Sequence, residues 1–436
     1  MATDTIFALA SGAGRAAIAV VRVSGPATRD ALARLAGLLP APRIATLRAV
    51  RDATGDILDH GLLLWFPGPG SFTGEDAAEF QLHGGRAVVA AVLEALAAVP
   101  GCRPAEPGEF TRRAFLHGRM DLGAVEGLAD LIDAQTQAQR RQALRQLDGV
   151  LGRWVERLRE DLLSALALTE AAIDFAEEDD LVATFEADIE RLAAGVARRV
   201  AEQMARDVRG AKLRDGVVVA IAGPPNAGKS TLLNALAGRD IAIVSAHAGT
   251  TRDAIVVELE LGGYPVQLID TAGLRETDDP VEREGVARAR ARAASADLVL
   301  WLCQAPDTGA PAIAAGGTVW TVATKADLGP GPEGSDFAVS AHTGAGLDVL
   351  VAALGRFAGE ALVGGEEAVV TRLRHRAALA SAQDHLNRIA MAARRRDLEL
   401  VAEDLRGATD ALAGLVGQIG TEEVLGTIFA RFCIGK

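Results

Sequence analysis

The sequence predicts a multidomain chain of mixed α/β and α class. An α+β N-terminal domain comes first, then a helical domain split in two, with an α/β domain inserted between its halves. Three observations predict this. The chain has 436 residues, more than one core ordinarily serves. Its apolar fraction is 49% but only 4% is aromatic, so alanine and leucine, the strongest helix formers, fill the apolar positions. Finally, a β-rich texture gives way to a helical one, then to alternating strands and helices, and the helical texture returns at the end.

Residues 1–118 mix short strands with turns. "AAIAVVRVSG" and "ILDHGLLLWFPGP" carry strand composition, "ATGD" reads as a hairpin turn, and "RAVVAAVLEALAAV" reads as one amphipathic helix. Residues 119–212 are helical. Leu122, Val125, Leu128, Leu131 and Ile132 recur at the spacing of one helix face within "LGAVEGLADLIDAQTQAQRRQALRQL". The run "AEEDD" interrupts the helical pattern as a solvated acidic linker. Residues 213–362 alternate: "GVVVAIAG", "AIVVELEL", "YPVQLID", "DLVLWLC", "TVWTVATK" and "FAVSA" read as strands of a mostly parallel sheet, with an antiparallel hairpin around "LGGYP". The segment "QAPDTGAPAIAAGG" is too short and proline-bearing for a full helix. Residues 363–436 return to helix.

The formal net charge of −13 excludes a free-standing nucleic-acid binder driven by a global positive field. The three cysteines, Cys102, Cys303 and Cys433, are odd in number and widely spaced, which fits a reducing cytosol better than a disulfide framework. No secretory leader and no stretch of membrane-spanning length is legible. A cytoplasmic protein is expected.

The chemistry lies in the inserted domain. "GPPNAGKS", from Gly223 to Ser230, fits G-x-x-x-x-G-K-[ST] between a strand and a helix. A chance glycine-rich turn would lack both flanking elements. Backbone N–H groups of such a loop cradle phosphates at a helix N-terminus. Asn226, Ala227, Gly228, Lys229, Ser230 and Thr231 are its expected nucleotide contacts, with Lys229 on the β/γ-phosphates and Ser230 on Mg²⁺. "DTAG" (Asp270, Thr271, Ala272, Gly273) follows a strand, so that Asp270 suits Mg²⁺ and the Gly273 N–H the γ-phosphate. "GTTRD" begins at Gly249 with Thr250 and Thr251, a threonine being able to close on Mg²⁺ in the triphosphate state; Thr251 is the expected ligand. "TKAD" (Thr324, Lys325, Ala326, Asp327) places a carboxylate for a guanine edge, and "SAHTG", with Ser340, Ala341 and His342, can touch the base. Five motifs in this order, each near a strand end, predict a Ras-like P-loop GTPase domain. Leu274 follows "DTAG" and cannot orient an attacking water, and no arginine finger is evident in cis.

Over essentially its whole length the chain resembles the MnmE (TrmE) family of tRNA modification GTPases. The resemblance is carried by "VVRVSG", "FPGPGSFTGEDAAEFQLHGG", "PGEFTRRAFLHGRMDL", "EGLADLIDA", "EAAIDF", "DTAGLRET" with "VEREG", and the terminal "CIGK". It implies an N-terminal domain that binds folate and dimerises, a split helical domain and an inserted GTPase domain. It further implies a MnmG-type flavoprotein partner, a homodimer, and modification of the wobble uridine of certain tRNAs with a folate-borne one-carbon unit. A K⁺ ion is implied in place of the arginine finger. It would be held by Asn226, Ser245, His247 and Thr250 within the loop that also contains Ala246 and Ala248, and would offset charge that develops on the phosphates. Glu282 matches the glutamate that positions the attacking water. By residues alone it is a surface acid at a helix start. Arg22, Glu79, Arg119 and Lys436 match the family's contacts to 5-formyltetrahydrofolate or a related folate. Some relatives carry lysine where Arg119 stands, which changes the hydrogen-bond geometry.

Two features depart from or extend this pattern. The base motif usually begins with asparagine, where this chain has Thr324, a shorter group without the paired amide. Cys433 lies four places from the terminus, but Gly435 and Lys436 do not make a prenylation box. Two readings of Cys433 stay open: chemistry on the modified uridine or one-carbon unit, and a small packed thiol at a helix end.

Overall fold

The structure is a computed structural model. It describes residues 4–12, 14–175, 179–224, 226–239, 256–270, 296–304, 318–393 and 397–417, together with 426, 428–429, 432 and 434–435. The chain divides into two compact units: residues 1–129, 146–160 and 409–436 form one, and 130–145 with 161–408 form the other.

The first unit is built on a six-stranded sheet. Its strands are β1 (Thr5–Leu9), β2 (Ile18–Ser24), β3 (Thr46–Arg51), β4 (Ile57–Phe66), β5 (Ala77–His83) and β6 (Cys102–Pro104), in the order β3-β4-β5-β2-β1-β6. All neighbours are antiparallel except β1 and β6. Strand alternation sorts the side chains between two faces. Val21, Val23, Leu63, Ala78 and Phe80 point into one core with Leu32 of α1 (Thr28–Ala36) and Leu96 of α2 (Arg86–Ala97). Arg22 and Glu79 fall on the opposite face and are register partners across β2 and β5. On β1, Ile6 and Ala8 pack with Ala105 and with Phe110 of α3 (Glu109–Leu116).

The C-terminal residues belong to this unit. Phe429 and Phe432 pack with Leu122 and Val125 of α4 (Leu122–Asp133), and Ile434 forms a backbone bridge to Pro107. Gly435 has φ +102, and a Cβ there would lie 2.1 Å from the Leu9 carbonyl oxygen; only glycine lets the tail run this close to β1.

Sequence spacing treats residues 122–147 as one helical run, but the structure breaks it into α4 and α5 (Gln137–Leu147). The break is a capping box. Gln139 Oε1 accepts from the N–H of Thr136 at 3.1 Å, and Thr136 Oγ1 accepts from the N–H of Gln139 at 3.3 Å. After α6 (Val150–Asp174), the helix α7 (Asp179–Asp215) starts inside the acidic run expected to be linker. Carboxylates at a helix N-terminus favour such a start.

In the second unit, α7 leads directly into a second six-stranded sheet. Its strands are β7 (Val217–Ala222), β8 (Val256–Leu261), β9 (Tyr264–Asp270), β10 (Leu298–Cys303), β11 (Thr318–Ala323) and β12 (Phe337–Ala338). The order is β12-β11-β10-β7-β9-β8, and every pair is parallel except the β8–β9 hairpin, as the sequence predicts. Helices α8 (Lys229–Ala237) and α9 (Leu347–Leu362) complete its core, with Leu233 and Leu354 packing among Val219, Leu268 and Leu300. The chain then returns to helix with α10 (Leu373–Ala393) and α11 (Leu398–Val416). The segment 305–317 lies outside the described residues.

Both crossings between helices and sheet meet at one side chain. Gln142, buried on α5, donates from Nε2 to the carbonyls of Gly210 (3.1 Å) and Gly365 (2.8 Å). Gln142→Leu keeps the volume and removes both donations. The Gly365 carbonyl keeps the Ala368 N–H at 3.2 Å and Gly210 keeps its place in α7, so the loss is that of two net hydrogen bonds, about 0.5–1.5 kcal/mol each. The melting midpoint of the unit should fall by several degrees in differential scanning calorimetry; an unchanged midpoint would show that the amide bears no such role.

Candidate functional site

The phosphate loop follows β7. Gly223 has φ +148, and a Cβ there would lie 2.5 Å from the Leu302 carbonyl, so the loop crosses β10 only as glycine. Asn226 (φ +64) and Gly228 (φ +90) are left-handed, and Gly228 caps α8 without a side chain. That leaves the first-turn N–H groups of α8 without a capping side chain. Lys229 Nζ donates to the carbonyls of Gly223 (2.9 Å) and Pro224 (2.8 Å), so the ammonium lies over the loop. The Asn226 side chain makes no hydrogen bond among the described residues. Asp270 ends β9 in register with Ile221 of β7, which brings the end of the second motif's strand beside the phosphate loop.

The "TKAD" turn is fastened to this loop. Thr324 Oγ1 donates to the Ala227 carbonyl at 2.8 Å, and the Thr324 N–H donates to the Cys303 carbonyl at 2.9 Å. The short threonine thus spends its hydroxyl on the phosphate loop. Lys325 is left-handed at φ +57 and donates to Gln304 Oε1 at 2.9 Å. The N–H of Ala326 donates to the Val339 carbonyl at 3.1 Å. Ser340 is fully buried in the adjoining turn, where its Oγ accepts from the Thr343 N–H at 3.2 Å. A hydrogen bond with Ser340 holds the Asp327 carboxyl below the usual range, and His342 adds to the effect. Ala341 and His342 follow Ser340 in the same turn.

In the first unit, Arg22 donates from Nε and Nη2 to Glu79 Oε1 at 3.2 and 2.9 Å. Among the described residues, Arg22 Nη1 and Glu79 Oε2 take no further hydrogen bond. The guanidinium lies over Phe72 at 5.4 Å and Phe110 at 5.8 Å. The loop 67–76 is tied down from beneath. Ser24 Oγ bonds Thr73 Oγ1 (2.6 Å) and Glu75 Oε2 (2.9 Å), and buried Arg113 donates to Glu75 at 3.2 Å. Arg113 also binds Asp4 and Glu109, and Arg103 binds the same two acids. Burial pushes the Glu109 carboxyl up, but the bonds from Arg103 and Arg113 and the Glu106 N–H outweigh it and hold the group low. Arg119 reaches the loop at Gly74, where a Cβ would lie 3.5 Å from Arg119 Cγ.

The structure therefore brings the phosphate loop, the "TKAD" turn and the 340–342 turn to one end of a parallel sheet, and pairs Arg22 with Glu79. Positions 245–251, 271–273, Glu282, Cys433 and Lys436 lie outside the described residues. Phe72 and the Arg113–Glu75 support escaped sequence reasoning; "FPGPGSFTGED" held the only local signal, an aromatic among turn residues.

A mostly parallel sheet with a G-x-x-x-x-G-K-[ST] loop at a helix N-terminus and the "TKAD" turn fastened to it defines a P-loop GTPase. The MnmE helical domain family matches residues 122–433, and the GTP-binding protein TrmE N-terminus family matches residues 5–119. The chain is 57% identical over 436 residues to the tRNA modification GTPase MnmE of Methylorubrum populi, covering 99% of this chain and 98% of that one. It is 56% identical over 441 residues to that of Methylobacterium sp. (strain 4-46), with full coverage of both. It is 53% identical over 460 residues to that of Rhodopseudomonas palustris (strain BisB5), covering 99% of each. The chain belongs to the MnmE family of tRNA modification GTPases, and it is an enzyme, a GTP hydrolase. Among the described residues no helix is long and apolar enough to cross a membrane.

Ser340→Ala removes the hydroxyl that favours the charged form of Asp327. The carboxyl should then take up its proton at a higher pH than in the unaltered chain, as followed by the carboxyl carbon resonance. An identical titration would contradict the assigned cause.

Proposed function

We propose that this chain is a K⁺-dependent GTPase that modifies C5 of the wobble uridine of certain tRNAs, together with a MnmG-type flavoprotein and a folate one-carbon unit. Hydrolysis switches the conformation of its domains. The observation that carries the reading is identity above half with MnmE relatives over the full length of both chains, N-terminal domain and tail included. The proposed domains are a folate-binding and dimerisation domain at 1–118, helical parts at 119–212 and 363–436, and the GTPase domain at 213–362. The chain acts as a homodimer in the cytoplasm.

Each residue does a definable job in this reading. Lys229 and the first-turn N–H groups of α8 bind the phosphates of GTP, and Asp327 accepts from the guanine edge. Ser340, Ala341 and His342 border the base. Ser230, Thr251 and Asp270 offer hard oxygen donors, which suit Mg²⁺. Glu282 positions the attacking water. Asn226, whose side-chain amide makes no hydrogen bond among the described residues, fits a monovalent cation together with Ser245, His247 and Thr250. When bound, K⁺ supplies fixed positive charge beside the β/γ-phosphates. Among the described residues Arg22 Nη1 and Glu79 Oε2 take no further hydrogen bond, which fits the edge of a folate ring, with Arg119 and Lys436 as cations for its acidic tail. Cys433 serves the modification and not hydrolysis.

Steady-state hydrolysis in matched KCl and NaCl tests the cation site. K⁺ should accelerate turnover at least about tenfold, equivalent to roughly 1.4 kcal/mol of transition-state stabilisation. Asn226→Ala should abolish the difference, and Cys433→Ser should hydrolyse normally yet fail in modification. Equal rates in both salts would remove K⁺ from the mechanism.

A further inference from the structure

We propose that Phe72 is a ligand contact of the N-terminal site: its half-exposed ring packs against the flat ring of a folate-type carrier whose edge Arg22 and Glu79 bind. This rests on the assignment of folate to the domain and adds a residue to it.

Phe72 is 40% exposed on a held loop. Single exposed apolar residues are common on protein surfaces and need no explanation. Three features set this one apart. First, its loop is preorganised: Ser24, Glu75 and Arg113 form a buried support, Gly68 N–H donates to Asp76 Oδ1 at 2.9 Å, and His117 Nδ1 bonds the Thr73 carbonyl at 2.8 Å. Binding surfaces are held in place by such supporting bonds. Second, Phe72 sits against a guanidinium whose Nη1, like Glu79 Oε2 beside it, takes no further hydrogen bond among the described residues. An aromatic face next to one donor and one acceptor is the chemistry that recognises a flat heterocycle. Third, the cation–π contact orients Arg22 from one side while Phe110 supports it from another. A leucine at 72 would still cover Arg22 by apolar contact but would lose both the cation–π attraction and a flat face for stacking, so the spectral change of the bound ring separates the two losses.

The difference between leucine and aromatic substitutions decides the matter. The full chain is titrated with 5-formyltetrahydrofolate and followed by calorimetry and by the ultraviolet difference spectrum of the pterin. The unaltered chain should bind with a stacking-induced absorbance change. Phe72→Leu should bind roughly tenfold more weakly and lose that change, while melting at the same temperature. Phe72→Tyr should keep both affinity and spectrum, which guards against a fold defect. Wild-type affinity and spectrum in Phe72→Leu would overturn the role of Phe72 alone. Failure of the unaltered chain to bind the folate would overturn that role together with the folate assignment.

Discussion

The two crossings between helices and sheet in the second unit share one buried amide. A domain inserted into a helical scaffold must leave and return at neighbouring points, and here both crossings bring backbone carbonyls inside, where an additional donor is favourable. The two N–H groups of Gln142 satisfy Gly210 on the outgoing helix and Gly365 on the returning chain. The segments come close because both positions are glycine: a Cβ on Gly210 would lie 2.4 Å from Ala368 Cβ, and one on Gly365 would lie 2.8 Å from the Arg209 carbonyl. Neighbouring bonds reinforce the junction, from Gln139 to the Arg214 carbonyl at 3.0 Å and from Arg214 to the Thr371 carbonyl at 3.0 Å. The GTPase sheet is therefore tied to α5, α7 and the returning chain around this junction, while the Lys212–Asp297 ion pair and the Ala138 N–H on the Gly263 carbonyl at 3.3 Å add ties elsewhere.

The same economy marks both sites. Thr324 joins the "TKAD" turn to the glycine-rich loop through one hydroxyl, so the two segments are fixed relative to each other. In the N-terminal domain Arg113 holds the loop that frames Arg22 and Glu79, while burial and ion pairing oppose each other on Glu109 with pairing the winner. Buried charges are stable there because each has partners on more than one element.

Local pattern carried much of this into the sequence. Strands β2, β4, β7, β9 and β10 are legible as β-branched or alternating runs, and the phosphate loop through the spacing of its glycines, Lys229 and Ser230. The break at Thr136 was also legible, as T-x-x-Q, but the apolar spacing on both sides of it masks the signal. Strands β1 and β6 are too short to read, since their place comes from pairing across about a hundred residues. The Gln142 junction is not legible for the same reason, and of the supports beneath the Phe72 loop only the aromatic among turn residues shows in the sequence. Their partners lie far off in sequence, and nothing near Gln142 distinguishes a buried glutamine from a solvated one.

The central claim is that this GTPase serves a chemical change on tRNA. The most direct measurement is mass analysis of nucleosides from bulk tRNA of a strain lacking this chain, beside the same strain with the chain restored. Loss of C5-modified wobble uridines, recovered on restoration, is the predicted result. Wobble uridines unchanged by the deletion would contradict the account.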